Sequence, residues 1–278
     1  MTNKSERIAV VTGASRGIGA YLAAELWDMA DIIVICAREL SGLLKTAGEI
    51  EKRGGRAHPM ALDLCLESDQ EKLLDGVRAL GDLDIVIHNA GIEMAMAFER
   101  QSEAQVRKQL ELNTMVPLVL THRILPLMRE RAAGRMVFIS SMSGKSPTPF
   151  NSVYSASKYA LNGFVASLAL ELKGSVIHVG TVCPSFVADA GMWADTGVKA
   201  PALMKEVPLS KVLSAVQSIL AAESTEVLVT PSPIRPLLAL YALFPSLGPW
   251  LLQKLGVWAV LEHREQVALR QHMGSEDH

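Results

Sequence analysis

The sequence predicts a doubly wound α/β fold, a parallel sheet with helices on both faces, carrying an apolar helical appendage at its C-terminal end. Three observations predict it. Short apolar runs rich in β-branched residues recur between residues 8 and 229, separated by helix-length amphipathic segments. The runs are continuous rather than alternating, as strands buried on both faces are. A glycine-rich turn, Thr12-Gly13-Ala14-Ser15-Arg16-Gly17-Ile18-Gly19, joins the first run to the first helical stretch.

Each element follows from local pattern. Ile8-Ala9-Val10-Val11 reads as the first strand and Tyr21-Leu22-Ala23-Ala24-Glu25-Leu26 as helix. Residues 32–36 form a second strand, and 40–52 a helix that Gly54-Gly55 ends. Residues 57–62 make a third strand, and 68–80 a helix with an acidic first turn. A fourth strand spans 83–87. Residues 101–129 read as one long helix with bends expected at Pro117 and Pro126. Strands at 136–139 and 176–182 flank a helix at 152–172, and a helix at 209–221 precedes a last strand at 226–229. Parallel strands need crossovers of this length. One domain over residues 1–230 is expected, with an extension over 231–278.

At 278 residues the chain is long enough for a sizeable core. Its net charge of −2 gives no electrostatic reason to expect nucleic acid or acidic lipid as a partner. Cys36, Cys65 and Cys183 are widely spaced in apolar surroundings, so they read as small buried hydrophobes; no metal site is expected. The start, Met1 through Arg7, lacks the apolar centre of a signal peptide, and a cytoplasmic protein is expected.

Chemistry-bearing residues gather at the predicted carboxyl ends of the strands, where sheets of this type bind ligands. A glycine turn between strand and helix lets main-chain amides approach a pyrophosphate at the helix N-terminus. After the fourth strand comes Asn89-Ala90-Gly91; after the fifth, Ser140-Ser141; after the sixth, Cys183-Pro184-Ser185-Phe186-Val187. Asn113 stands mid-way along the long predicted helix, an unfavourable place unless its side chain is used. Tyr154 and Lys158, four residues apart, lie on one helix face. An ammonium held beside a phenol lowers its pKa and makes it usable for proton transfer to a carbonyl or from an alcohol.

Together these motifs resemble the short-chain dehydrogenase/reductase (SDR) family, in order and at the expected spacing over residues 8–230. The resemblance implies a Rossmann-type sheet and a set of roles. Tyr154 would be the general acid in reduction and the base in oxidation. Lys158 would lower its pKa and bind the nicotinamide ribose, Ser141 would hold the substrate oxygen, and Asn113 would anchor a water linking Lys158 to solvent. Cofactor contacts are implied for Gly13, Ser15, Arg16, Gly17, Ile18, Gly19, Asn89, Ala90, Gly91, Pro184 and Val187, with Asp63 and Leu64 as the adenine-contacting pair. The second strand ends Cys36-Ala37-Arg38, with no carboxylate before Glu39 to accept from a ribose hydroxyl. Arg38 and Arg16 could clamp a 2′-phosphate from two sides, which favours NADP(H) over NAD(H). A homodimer or homotetramer is also implied.

The chain departs from the family pattern after Pro184, where Ser185 replaces the usual glycine and Asp189 the usual threonine. Residues 186–205 are expected to form a substrate lid, with Phe186, Met192, Trp193 and Met204 offering apolar surface for a small apolar carbonyl or alcohol. From 236 to 261 the only formal charge is Lys254, the run being broken by Pro245, Gly248 and Pro249 and followed by a polar helix at 262–273. Three readings compete for it: a lid over the substrate, a subunit contact, or shallow insertion at a membrane surface, the last favoured by Trp250 and Trp258. The leading function is an NADP(H)-dependent oxidoreductase acting on an apolar, lipid-, steroid- or retinoid-like carbonyl or alcohol. Alternatives are a 3-oxoacyl-thioester reductase, a sugar-nucleotide epimerase, and a non-enzymatic NADP-sensing regulator on the same fold.

Overall fold

The apolar runs assemble as seven parallel strands in the order β3-β2-β1-β4-β5-β6-β7. In the computed structural model, which describes residues 5–188, 190–201, 205–244 and 246–273, these are β1 (Arg7–Thr12), β2 (Ile32–Ala37), β3 (Ala57–Ala61), β4 (Asp82–His88), β5 (Gly134–Ile139), β6 (Ile177–Pro184) and β7 (Glu226–Val229). The expectations for Asp189, Met204 and Pro245 lie outside the described residues. Strand order reverses between β1 and β4, opening a crevice at the carboxyl edge of the sheet.

Strand alternation sends each neighbouring side chain to an opposite face. Ala9, Val11, Ile33 and Ile35 pack under α1 (Gly17–Glu25), α2 (Leu40–Lys52) and α7 (Leu209–Leu220), against Leu22, Leu43 and Val216. Ile8, Val10, Val34 and Phe138 pack on the other face, under α3 (Glu67–Leu80), α5 (Val116–Arg131) and α6 (Ser152–Glu171), against Leu73, Leu120, Ile124 and Leu161. Continuous apolar strands are thus accounted for by burial on both faces.

The expected single helix over 101–129 is two helices. Ser102 and Gln105 form a reciprocal capping box that starts α4 (Glu103–Leu110). A π-turn, Glu111–Met115, then leads into α5, with the Val116 N–H bonded back to the Glu111 carbonyl. Pro117 explains the widening. It has no N–H for the Asn113 carbonyl one α-turn back, and its ring crowds that carbonyl. The irregularity therefore precedes Pro117 and puts Asn113 at its centre; Pro126 is accommodated inside α5.

Beyond β7 come α8 (Arg235–Leu243), α9 (Leu247–Lys254) and α10 (Val257–Met273). Gly256, at φ +71°, makes the turn between α9 and α10. The last apolar residues of the tail belong to the same helix as its polar end, contrary to the expected break at 262. Among the described residues no helix is long and apolar enough to cross a membrane.

Candidate active site

The glycine turn is built for close approach. Gly13 and Gly17 take φ of +66° and +64°, a region that L side chains rarely enter. A Cβ at Gly19 would collide with the Gly13 carbonyl and the Asn89 amide. The Gly13 N–H donates to the Cys36 carbonyl at 2.8 Å, pinning the turn to β2. Asn89 Nδ2 donates to the carbonyls of Thr12 and Gly13 at 2.9 and 3.1 Å, and the Thr12 hydroxyl accepts from the N–H of Asn89 and Ala90 at 3.0 Å each. Asn89 is thus a brace between the β1 and β4 loops. Arg16, at the N-cap of α1, makes no side-chain cap, which leaves the first-turn amides open to an anion.

Gly13, Ser15, Arg16, Gly17, Ile18, Asn89 and Ala90 line a cleft of about 800 Å³ that also takes in Arg38, Asp63, Leu64 and Gly91, while Thr12 and Gly19 brace the turn behind it. Its length, glycine floor and helix N-terminus fit a dinucleotide. Two expectations change here. Arg16 is ion-paired with Asp195, so only Arg38 of the expected clamp stands without such a partner among the described contacts. Cys65, read as buried, is half-buried and lines the cleft, while Cys36 and Cys183 are buried as expected. His88, next to Asn89, is a packing residue: it stacks on Phe138 with centroids 4.5 Å apart, and burial pushes its pKa down to about 3.

A second cavity, about 180 Å³, opens beside the first, and Ile18, Asn89, Gly91, Gly191 and Met192 line both. Tyr154, Lys158 and Ser141 face it, as do Pro184 and Val187. Tyr154 and Lys158 come from consecutive turns of α6, and the Lys158 Nζ lies 5.7 Å from the Tyr154 ring centroid. The ammonium donates to the Ile139 carbonyl at 2.9 Å. Burial lowers the Lys158 pKa to about 8. Burial also raises the Tyr154 pKa far above its usual value, with the Glu93 charge adding to it. A hydrogen bond from Ser141 and the Arg264 charge pull the other way.

Asn113 is 1% exposed, and both its amide nitrogen and its amide oxygen are bonded. Oδ1 accepts from the Ile92 N–H at 2.8 Å, and Nδ2 donates to the Ile92 carbonyl at 2.8 Å and to Ser157 Oγ at 3.1 Å. It ties the π-turn to the loop after β4 and to α6.

The pocket's remaining walls were only partly foreseen. Phe186 and Trp193 lie with ring centroids 4.3 Å apart and tilted at 46°, and with Met192 they line the pocket. Val257, Leu261 and Arg264 of α10 close another side, which supports the lid reading for that part of the tail. A buried ion pair was not foreseen at all: Arg264 Nη1 and Nη2 grip the two Glu93 oxygens at 2.6 and 2.7 Å. Asn151 Nδ2 donates to Glu93 at 2.7 Å, and the guanidinium lies 5.2 Å from the Trp193 ring. The one sequence signal for Glu93 is its place two residues after Gly91; nothing marks Arg264, 171 positions away.

Several known proteins are similar to this chain. The short chain dehydrogenase family matches residues 7–199. A protein of Nostoc sp. named "Ketoacyl reductase HetN" is 36% identical over 235 residues, 84% of this chain and 82% of its own length. A "Putative ketoacyl reductase" of Streptomyces coelicolor is 33% identical over 67% of this chain and 73% of its own. Estradiol 17-beta-dehydrogenase 11 of Rattus norvegicus is 29% identical over 65% of this chain, which spans 62% of that protein. A solved actinorhodin polyketide ketoreductase with NADPH superimposes with a TM-score of 0.75 at 28% identity, covering 81% of this chain and 95% of that one. The strand order, the glycine turn and these matches together make the chain a member of the short-chain dehydrogenase/reductase family of oxidoreductases.

Proposed function

We propose that this enzyme interconverts a carbonyl and an alcohol on an apolar substrate with NADP(H), using Tyr154 as the proton donor and acceptor. The observation that carries it is the meeting of Tyr154, Ser141 and Lys158 in one pocket whose other walls include Phe186, Met192, Trp193 and Val257. When bound, the cofactor supplies or takes up the hydride. The open amides of the glycine turn and α1 would hold its pyrophosphate, Asp63 and Leu64 its adenine, and Lys158 its nicotinamide ribose. Arg38 favours a 2′-phosphate. Solved relatives with NADPH and with NADP support that choice.

In reduction the Tyr154 hydroxyl gives its proton to the substrate oxygen while the Ser141 hydroxyl hydrogen-bonds that oxygen and stabilises its developing charge. Proton resupply would run through Lys158 and a water at Asn113. Since the Asn113 amide is committed, its main-chain carbonyl is the group left for that water. A 3-oxoacyl thioester is the second substrate reading, favoured by the two relatives named as ketoacyl reductases.

Tyr154→Phe tests the assignment. It keeps the ring's packing and removes the proton, so turnover with ketones should fall roughly 10²- to 10⁴-fold while NADPH affinity, read by fluorescence, is unchanged. Near-normal turnover would overturn it.

The proposal extends to the tail. Leu243, Phe244 and Trp250 are 74%, 54% and 55% exposed on α8, α9 and the link between them, and we assign that face to a membrane surface. Intact protein should sediment with liposomes, and a chain ending near Pro233 should not. Homodimeric or homotetrameric assembly and a cytoplasmic location belong to the same proposal through the family resemblance, and light scattering reads the subunit count.

A further inference from the structure

The apolar pocket holds one charged pair that the proton chemistry does not use. The Arg264 and Glu93 side chains are 6% and 9% exposed, and burying such a pair gains little stability by itself. Pairing end to end, they engage both terminal nitrogens of the guanidinium. The third donor, Arg264 Nε, is buried without a partner among the described residues. So are two oxygens from the same wall, Asn151 Oδ1 and Thr148 Oγ1. All three residues line the pocket that contains Tyr154. Buried polar atoms in native proteins are ordinarily satisfied, and here a nitrogen donor and two oxygens, on residues that line the pocket, have no partner among the described residues.

We propose that Arg264, with Asn151 and Thr148, forms a second polar subsite that receives a neutral oxygen function of the substrate, distinct from the carbonyl or hydroxyl that reacts. The proposal rests on the reading of this pocket as the substrate site. Charge decides the ligand class. Glu93 already neutralises Arg264, so a carboxylate entering here would meet a second anion at close range. An ester, thioester or hydroxyl oxygen accepts from Nε without adding charge. The enzyme's substrate is then an apolar molecule with two oxygen functions, and a plain hydrocarbon ketone lacks the second handle. Arg264 is a specificity-determining residue in this scheme, and α10 exists at the pocket to deliver it.

The test measures binding rather than turnover, so that it stands apart from the hydride-transfer assignment. Calorimetry on the NADPH-loaded full-length protein compares a secondary alkanol with hydroxy esters of equal carbon count, the ester placed at increasing distance from the hydroxyl. At the matching distance the ester should bind about tenfold tighter, the worth of one hydrogen bond to a charged donor, and the corresponding carboxylate should bind no better than the alkanol. In Glu93→Gln/Arg264→Met, which removes both charges together, the preference should shrink below about twofold. Arg264→Lys keeps the pairing with Glu93 but loses Nε, and the same loss is expected there should the double variant fail to fold. Equal affinity for alkanol and every ester in wild type would overturn the subsite and leave it a site for a bridging water only. A preference that survives both variants, or a tighter carboxylate, would overturn it as well. Selective ester binding with no turnover of the matching keto ester would uphold the subsite and sink the catalytic reading instead.

Discussion

In the cleft under the glycine turn the floor is main chain, the Gly13 and Gly17 bends held in place through Asn89, while side chains such as Arg38, Asp63 and Leu64 line the rest. In the pocket beside it the walls are side chains, brought from α6, from the loops after β4 and β6, and from α10. The two meet along Ile18, Asn89 and Gly91, yet they tolerate change differently. A main-chain wall is lost when a Cβ is added. A side-chain wall of paired charges is lost when one partner is removed. The largest expected effect breaks the second kind. Arg264→Met alone leaves the Glu93 carboxylate buried and unpaired, which should cost about 3–5 kcal/mol of stability, read by urea unfolding. Glu93→Gln/Arg264→Met should recover most of that loss. If the single variant is as stable as wild type, the pair is solvated in solution and the pocket is more open than described.

The same contrast explains what could be read from the sequence. The glycine turn, Asn89-Ala90-Gly91 and Tyr154 with Lys158 are each short contiguous patterns, and the strand runs fix where they fall. Asn113 was found because a polar residue mid-helix is anomalous. What the sequence hid is contact between distant segments: Glu93 with Arg264, Arg16 with Asp195, α10 with the pocket. It also hid the π-turn, since Pro117 signals a disturbance but not that the helix widens before the proline. Even the direction of the Lys158 ammonium was out of reach, because the Ile139 carbonyl that receives it belongs to another element.

Lys158 sits where cleft and pocket join, and its burial carries a cost that pH reveals. Its pKa falls from 10.5 to about 8. Below about 8 the ammonium is charged in both folded and unfolded chains, and the folded state bears the full penalty. Between 8 and 10.5 the unfolded chain holds the extra proton, so stability rises with pH. Lys158→Met should therefore stabilise the protein by up to about 3 kcal/mol at pH 7, with the gain shrinking toward pH 10.5, while turnover is lost. Thermal melts across that range check it. A variant no more stable than wild type at pH 7 would mean that the Ile139 bond and the surrounding dipoles repay the burial.

On the cleft side, Gly19→Ala adds one methyl where the Gly13 carbonyl and the Asn89 amide already stand. The Gly13 carbonyl is main chain and the Asn89 Nδ2 is held by two hydrogen bonds, so the turn itself must shift. Overpacking of this kind costs about 1–3 kcal/mol, and NADPH affinity should fall further than the melting temperature implies, because the turn that shifts is the one whose amides would receive the pyrophosphate. Gly163→Ala on α6 is the control: its added Cβ meets nothing within 4 Å, so NADPH affinity should be unchanged, while helix propensity should raise stability by about 0.5–1 kcal/mol.

The smallest effect sharpens the comparison, because it concerns the one part of the cleft where a side chain does the reading. Arg38 follows the end of β2 with no carboxylate beside it before Glu39, and Arg16, the other candidate for a phosphate, is already paired with Asp195. If Arg38 alone holds the 2′-phosphate, Arg38→Ala should weaken NADPH binding by about tenfold or more, the loss of one charge-assisted contact, and leave NADH binding nearly unchanged. Asp195→Asn then separates the two arginines. It frees Arg16, so NADPH affinity should rise in the wild-type background and the Arg38→Ala loss should be partly recovered, each more strongly at low salt because Arg16 is exposed. Equal losses for NADPH and NADH in Arg38→Ala would mean that the cleft discriminates by main-chain shape throughout. In that case the contrast between the two cavities would have no exception.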